Sequence, residues 1–263
     1  MIDTLLIGGK GNIGSGLRKY LPQLDSDYRI TSIDLSGASD RVGTPQPNDK
    51  FIELDVSADD AALRKALEGR DLVVYLARKD PLTDMNAMTD RVFKAFMDVC
   101  PTAMMVGSSS VHATGGAYFP FTKEPYSIIA ERRFDEVKPW PEPLSARIDP
   151  CPTGDYGLEK AYVEAWCQRL GAVGMKAVAA RWGGINADNV MTDEVAYFTV
   201  WCHQEDSARF VDACFKASRS GTLRSGAHYY VISDNTHNIF DIETPRKEIG
   251  YQPQHDAEDF YRS

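Results

Sequence analysis

Cysteine is scarce in this 263-residue chain and its placement shows no pattern. The five are Cys100, Cys151, Cys167, Cys202 and Cys214, an odd number with no C-x-x-C spacing. That argues against a disulfide framework or a cysteine zinc site and fits a reducing compartment. Basic charge is also short: 29 Lys and Arg stand against 38 Asp and Glu, a net charge of −9. Nucleic-acid and anionic-membrane surfaces need clustered cations, and the compact pair Arg132–Arg133 is flanked by acids. No apolar run reaches the roughly 18 residues of a membrane span. The start, Met1-Ile2-Asp3-Thr4, has no basic region followed by a long apolar one. His203, His228, His237 and His255 lack ligand spacing to one another. The expectation is a cytoplasmic protein with no metal, no nucleic-acid partner and no membrane partner.

What is present is ordinary globular material, 43% hydrophobic and 25% charged. The length suits one large domain, or one with a small appendage. Apolar runs at 4–9, 29–34, 50–56, 71–77, 102–109 and 176–182 read as strands. Helical spacing falls between them at 12–22, 57–67, 84–100 and 156–170. Alternation of this kind predicts right-handed βαβ units, hence an α/β, Rossmann-type doubly wound parallel sheet. After residue 182 the rhythm weakens. Helices are expected near 192–202 and 205–217, a strand at 228–233, and a short helical tail. The division expected is a dinucleotide-binding domain over 1–182 and a small substrate-binding region over 183–263.

One stretch breaks the rhythm. Seven of the fourteen prolines lie between Gly115 and Tyr156, with Tyr118, Phe119, Phe121, Tyr126, Phe134 and Trp140 among them. The prolines exclude a long helix or central strand, and only 127–137 has a helical pattern. The aromatics argue against disorder. Residues 116–155 therefore read either as a substrate wall or as an insertion that packs on the surface or on another subunit.

Two motifs carry chemistry. Between the first strand and first helix lies Gly8-Gly9-Lys10-Gly11-Asn12-Ile13-Gly14. Gly8 permits the sharp turn, Gly11 lets a pyrophosphate approach, and Gly14 lets helix and strand pack closely. The helix start offers free N–H groups to the phosphates. Asp34 ends the second strand, 20 residues past Gly14. A carboxylate there accepts hydrogen bonds from ribose hydroxyls and repels a 2′-phosphate, so NAD is expected as cofactor rather than NADP, although Arg41 lies near enough to serve a phosphate. The second motif, Tyr156-Gly-Leu-Glu-Lys160, places Tyr and Lys on one helix face. A nearby ammonium lowers a phenol's pKa, and Tyr156 then takes the proton of an alcohol while hydride leaves its carbon. Ser108, Ser109 and Ser110 end the preceding strand, where ligands of such sheets bind.

In this order the motifs resemble the extended short-chain dehydrogenase/reductases, the NAD-dependent epimerase/dehydratase group. The resemblance rests on GGKGNIG at 8–14, Asp34, Asp55-Val56, YLA at 75–77, SSSVHATG at 108–115, YGLEK at 156–160 and Arg181. It implies that Asp55 and Val56 flank the adenine and that Leu76, Ala77, Arg78 and Ser108 lie along the cofactor, with Gly8, Gly11, Asn12, Ile13 and Gly14 at its phosphates. It makes Tyr156 the base, places Lys160 at the nicotinamide ribose, and gives the catalytic serine position to Ser110, five before Gly115. Asn86 matches the group's helix asparagine. The length, His112 and the run WCHQEDSARFVDAC at 201–214 look like uronate dehydrogenases, which oxidise the anomeric carbon of a hexuronic acid. That likeness makes His112 and Gly184 substrate contacts. Val111 and Gly184 nevertheless replace that group's asparagine and serine, and 185–200 holds no arginine.

The function expected is an NAD-dependent oxidoreductase acting on a hydroxyl-bearing carbon of a small sugar or sugar-acid-like molecule. A nucleotide-sugar epimerase or dehydratase is one alternative, and a non-catalytic NAD-binding protein another. The helix from Tyr156 is a candidate homodimer surface through Tyr162, Trp166 and Arg169, while Val163, Trp166 and Leu170 also have core spacing.

Overall fold

The computed structural model describes residues 1–41 and 49–262. Its centre is a parallel sheet of β1 (Ile2–Ile7), β2 (Tyr28–Asp34), β3 (Lys50–Glu53), β4 (Leu72–Tyr75), β5 (Met104–Ser110), β6 (Lys176–Trp182) and β7 (Ala227–Val231). The spatial order is β3-β2-β1-β4-β5-β6-β7. The middle strands are covered on both faces, which is why they read as continuous apolar runs. Alternate residues serve opposite layers. Leu5 and Ile7 face α2 (Asp60–Leu67), α3 (Leu82–Val99) and α5 (Asp155–Ala172) through Leu63, Phe93 and Val163. Leu6 faces α1 (Asn12–Leu24) and α7 (Gln204–Ser220) through Leu17, Phe210 and Cys214. From β1 the chain runs outward to β3, then returns to β4 on the other side. A cleft therefore opens at the carboxyl ends of β1 and β4.

The local departures from expectation have tertiary causes. Helix α1 passes Pro22 and ends at Leu24, because the ladder resumes with Asp25 N–H donating to the Leu21 carbonyl at 3.0 Å. The expected helix at 127–137 shortens to α4 (Tyr126–Ala130) and one 3₁₀ turn at Phe134–Glu136. Arg132 has φ +58°, and its guanidinium bonds Glu258 at 2.8 and 3.0 Å over the Tyr261 ring at 3.6 Å. The helix near 192–202 shrinks to α6 (Tyr197–Val200), since Gly184 bridges to Trp201 and pins this segment to the exit of β6. The tail supplies α8 (Glu243–Ile249).

The proline-rich segment is built into the body. Tyr118, Phe121, Ile129 and Val137 share a third apolar cluster with Trp201, Tyr230 and Phe240. Trp140 Nε1 donates to the Asn238 carbonyl at 3.1 Å, and Leu144 bridges to Phe240. Residues after 182 also supply β7 and α7 to the main sheet and its layers. Among the described residues no helix is long and apolar enough to cross a membrane.

Candidate active site

Beyond β1 the chain turns at Gly8, whose φ of +93° is left-handed; a Cβ there would lie 2.7 Å from the Ala77 nitrogen. At Gly14 a Cβ would sit 2.6 Å from the Gly9 Cα, so the protein's own packing demands glycine. Gly11 differs. Its backbone is extended, and a Cβ would meet only the Gly8 carbonyl, at 3.6 Å. The fold tolerates a side chain there, so the small residue suits something outside the chain. Gly11 also caps α1 with no side-chain hydrogen bond and no acid in the first turn, which leaves an uncompensated positive helix end.

The cleft beside this loop is a cavity of about 440 Å³ with Gly8, Asp34, Asp55, Val56, Ala77 and Arg78 in its walls, and Arg41 also at its edge. The Asp34 carboxylate accepts from the Lys10 and Leu35 backbone N–H groups, each at 2.9 Å, and keeps lone pairs for a further donor. Asp55 accepts from Ser57 at 2.8 and 2.6 Å, which holds its pKa below the usual range. An open glycine, an uncapped helix end and a fixed carboxylate suit a dinucleotide's pyrophosphate and ribose.

The cleft continues into a cavity of about 240 Å³ lined by Gly11, Asn12, Ile13, Gly14, Leu76 and Ser108, closed by Tyr156, Trp182 and Ile185. Ser110 is the last residue of β5, buried, and its Oγ accepts the His112 N–H at 3.2 Å. Tyr156 lies in the first turn of α5 with 41% of its surface exposed, within hydrogen-bonding reach of Ser110. Lys160 Nζ is 5.2 Å from the Tyr156 ring centre and the Arg78 guanidinium 5.3 Å. Sequence reasoning missed Glu159. Only 2% exposed, it accepts the Arg78 Nε at 2.9 Å and lies 3.3 Å from Lys160 Nζ.

This geometry corrects one expectation. Lys160 was expected to pull the Tyr156 pKa down. In the structure burial raises that pKa and Glu159 adds to the rise, while Ser110 and Arg78 oppose it. The ammonium rests against Glu159, and burial lowers the lysine's own pKa.

A family match covers residues 4–185, more than two thirds of the chain. The chain belongs to the NAD dependent epimerase/dehydratase family. Its cofactor is accordingly NAD, and it is an NAD-dependent enzyme of the short-chain dehydrogenase/reductase type. A "NAD-dependent glucose-6-phosphate dehydrogenase" of Haloferax volcanii is similar, 24% identical over 98% of this chain and 95% of that one. Among solved structures, uronate dehydrogenase from Agrobacterium tumefaciens matches with a TM-score of 0.75 at 19% identity, covering all of this chain and 88% of the other. The dTDP-glucose 4,6-dehydratase of Bacillus anthracis, solved with NAD, matches at 0.71 and 13% identity, covering 98% and 93%. At such identities the structural likeness concerns the fold.

The other expected site residues of this family member lie as follows. The His112 ring packs edge-on to Tyr156 and Phe119, 5.5 and 5.4 Å between centres, and burial lowers its pKa. Gly184 is enclosed: its N–H donates to Val200, its carbonyl accepts from Cys202, and a Cβ would sit 2.3 Å from the Tyr197 ring. Asn86, in α3, lines neither part of the cleft, and its Oδ1 is buried without a partner. Trp166 is a core residue, 5% exposed and packed on Phe93, so of the proposed dimer surface only Tyr162 and Arg169 reach solvent.

Further contacts went unforeseen. Glu164 and Arg181, both fully buried, pair at 2.8 Å, and Glu164 also accepts from Ser109 at 2.6 Å near the end of β5. Gln204 of α7 donates to the Asn12 carbonyl and Ser15 Oγ at 2.6 and 3.0 Å, tying the later residues to the glycine loop. His255 converges on His203 and Glu205 from about fifty residues further along the chain. Their geometry opposes a metal. The two rings stack at 3.7 Å and 19°, so their in-plane lone pairs do not meet at one point, and His203 Nδ1 already accepts the Glu205 N–H.

Proposed function

We propose that this family member oxidises a hydroxyl-bearing carbon of a small, sugar-like molecule, with Tyr156 as the base. The observation that carries the reading is that Tyr156 closes the end of the cofactor cleft and has the Ser110 hydroxyl as a hydrogen-bonding neighbour. Bound NAD would supply the hydride acceptor. The chain supplies the rest. Ser110 holds the substrate oxygen, and Tyr156 accepts its proton as the hydrogen on the carbon would leave with its bonding electron pair to that acceptor. Bringing a phenol from about 10 to near 7 requires roughly 4 kcal/mol. Arg78 and the Ser110 hydroxyl are the groups that act in that direction.

The charges favour an uncharged polyol or aldose over a sugar acid or phosphate. Arg78 and Lys160 are already matched by Glu159 and Asp80. His112 is held neutral, with Glu194 the acid nearest in effect. The relatives named for glucose-6-phosphate and uronate act on anions, which would meet no free cation beside Tyr156 among the described residues. NAD reduction is to be followed by absorbance on matched pairs, aldoses against the corresponding uronates and phosphates. At least tenfold preference for the neutral member is expected. Preference for the anions refutes the charge reading, and turnover only of nucleotide-sugars refutes the oxidation reading. A homodimer through the exposed side of α5 belongs to the same proposal and is tested by light scattering.

A further inference from the structure

We propose that Glu159 is a positioning residue of this site, clamping the Lys160 ammonium and the Arg78 guanidinium against the Tyr156 ring. The inference rests on the reading of Tyr156 as the base. Glu159 stands three residues after Tyr156, on the same side of α5. A glutamate in the first turns of an exposed helix face is ordinarily solvated, yet this one is 2% exposed. Burying a carboxylate is costly unless cations meet it. Here two do, from different elements: Lys160 on α5 at 3.3 Å and Arg78 after β4 at 2.9 Å.

Each cation depends on it. Lys160 is 3% exposed, and burial favours its neutral form; Glu159 is the group that counters this. Arg78 has a second anchor in Asp80, but that acid is 75% exposed and its pairing is screened by water. Glu159 is thus the buried point from which both cations are held. The arrangement carries a cost, since the same negative charge disfavours the Tyr156 phenolate. A purely packing role would be served by an uncharged side chain without that cost. The other groups facing this cluster are Tyr75 at the end of β4, His112 and Tyr118 after β5, and the Ser110 hydroxyl. Each is neutral at physiological pH, so Glu159 with Arg78 and Lys160, and the exposed Asp80 on the far side of Arg78, set the local field.

Glu159→Gln keeps the shape and removes the charge. Loss of a negative charge lowers the pKa of every neighbour, so the Tyr156 and Lys160 ionisations both move down. Both limbs of the pH profile of NAD reduction are therefore expected to shift to lower pH, by about one unit. Glu159→Asp, which retains the carboxylate, restores much of the profile. A structural role alone would depress activity equally at all pH. A second measurement needs no substrate: phenolate absorbance is titrated in each protein and in its Tyr156→Phe counterpart, and the difference isolates Tyr156. A Tyr156 titration unmoved by Glu159→Gln overturns the proposal. A moved titration with no NAD reduction by any hydroxyl compound upholds the clamp and refutes the base reading. Should Glu159→Gln fail to fold, Arg78→Gln, at a half-exposed partner, takes its place. It is expected to move the same titration to higher pH, and an unchanged titration overturns the proposal.

Discussion

Replacing Gly11 by alanine separates what the fold needs from what the cofactor needs. The Gly11 backbone is extended, with φ −70° and ψ 178°, a conformation open to any residue. The added Cβ would touch only the Gly8 carbonyl at 3.6 Å, an ordinary contact. Alanine caps a helix less well than glycine, but it also restricts the unfolded chain, and the two effects oppose each other. The net change in stability is expected to stay within about 1 kcal/mol. Binding is another matter if the pyrophosphate crosses Gly11. A methyl group forced into a filled contact costs about 1–3 kcal/mol, or roughly 5- to 150-fold in Kd. Calorimetric titration with NAD, beside urea unfolding of the same preparation, reads both quantities. The control is Gly14→Ala, whose Cβ would lie 2.6 Å from the Gly9 Cα; it should lower the unfolding midpoint as well as the affinity. Unchanged NAD affinity in Gly11→Ala, or a loss of stability as large as that of Gly14→Ala, would refute the assignment of the loop.

Other outcomes follow from the same contacts. Tyr156→Phe should cut NAD reduction by about 10²–10⁴-fold while leaving the NAD Kd within roughly threefold; retained turnover would remove Tyr156 as the base. Glu164→Gln strands the fully buried Arg181 charge and should cost about 3–5 kcal/mol in urea unfolding, and a loss below about 1 kcal/mol would contradict the pairing. His203 is kept neutral by burial, with its pKa pushed down to about 4. The unfolded chain takes up that proton near pH 6.5, so the contribution is complete above that pH and declines as pH falls toward 4. Urea midpoints measured between about pH 7 and pH 5 should fall, and less so in His203→Asn, which keeps a capping acceptor for α7. A decline of equal size in both proteins would count against His203.

Much of the cofactor half was legible because its signals are local. A left-handed turn at Gly8, tight packing at Gly14 and an acid ending β2 all depend on a residue and its near neighbours in the chain. Apolar runs and helical spacing likewise determined the alternating α/β order, since the middle strands are buried on both faces. The residues expected to meet a substrate were less legible because they are set by contacts across the chain. Gly184 is enclosed by Tyr197, and the expected helix at 127–137 yields to the Arg132–Glu258 pair 126 residues apart. The proline-rich segment proved to share an apolar core with residues after 182, which no local pattern announces.

The sequence by itself determined that a glycine loop, an acid, a serine and a Tyr–Lys pair follow one another along alternating strands and helices. The tertiary structure alone decided the electrostatics around Tyr156. A glutamate written between Tyr156 and Lys160 looks like a solvated helix residue. Only folding brings Arg78 across from the β4 loop to meet it, removes water from Lys160, and makes the charge on Glu159 matter to the Tyr156 phenol. Spacing along a helix shows which side chains share a face, but the strength of a charge depends on what covers that face.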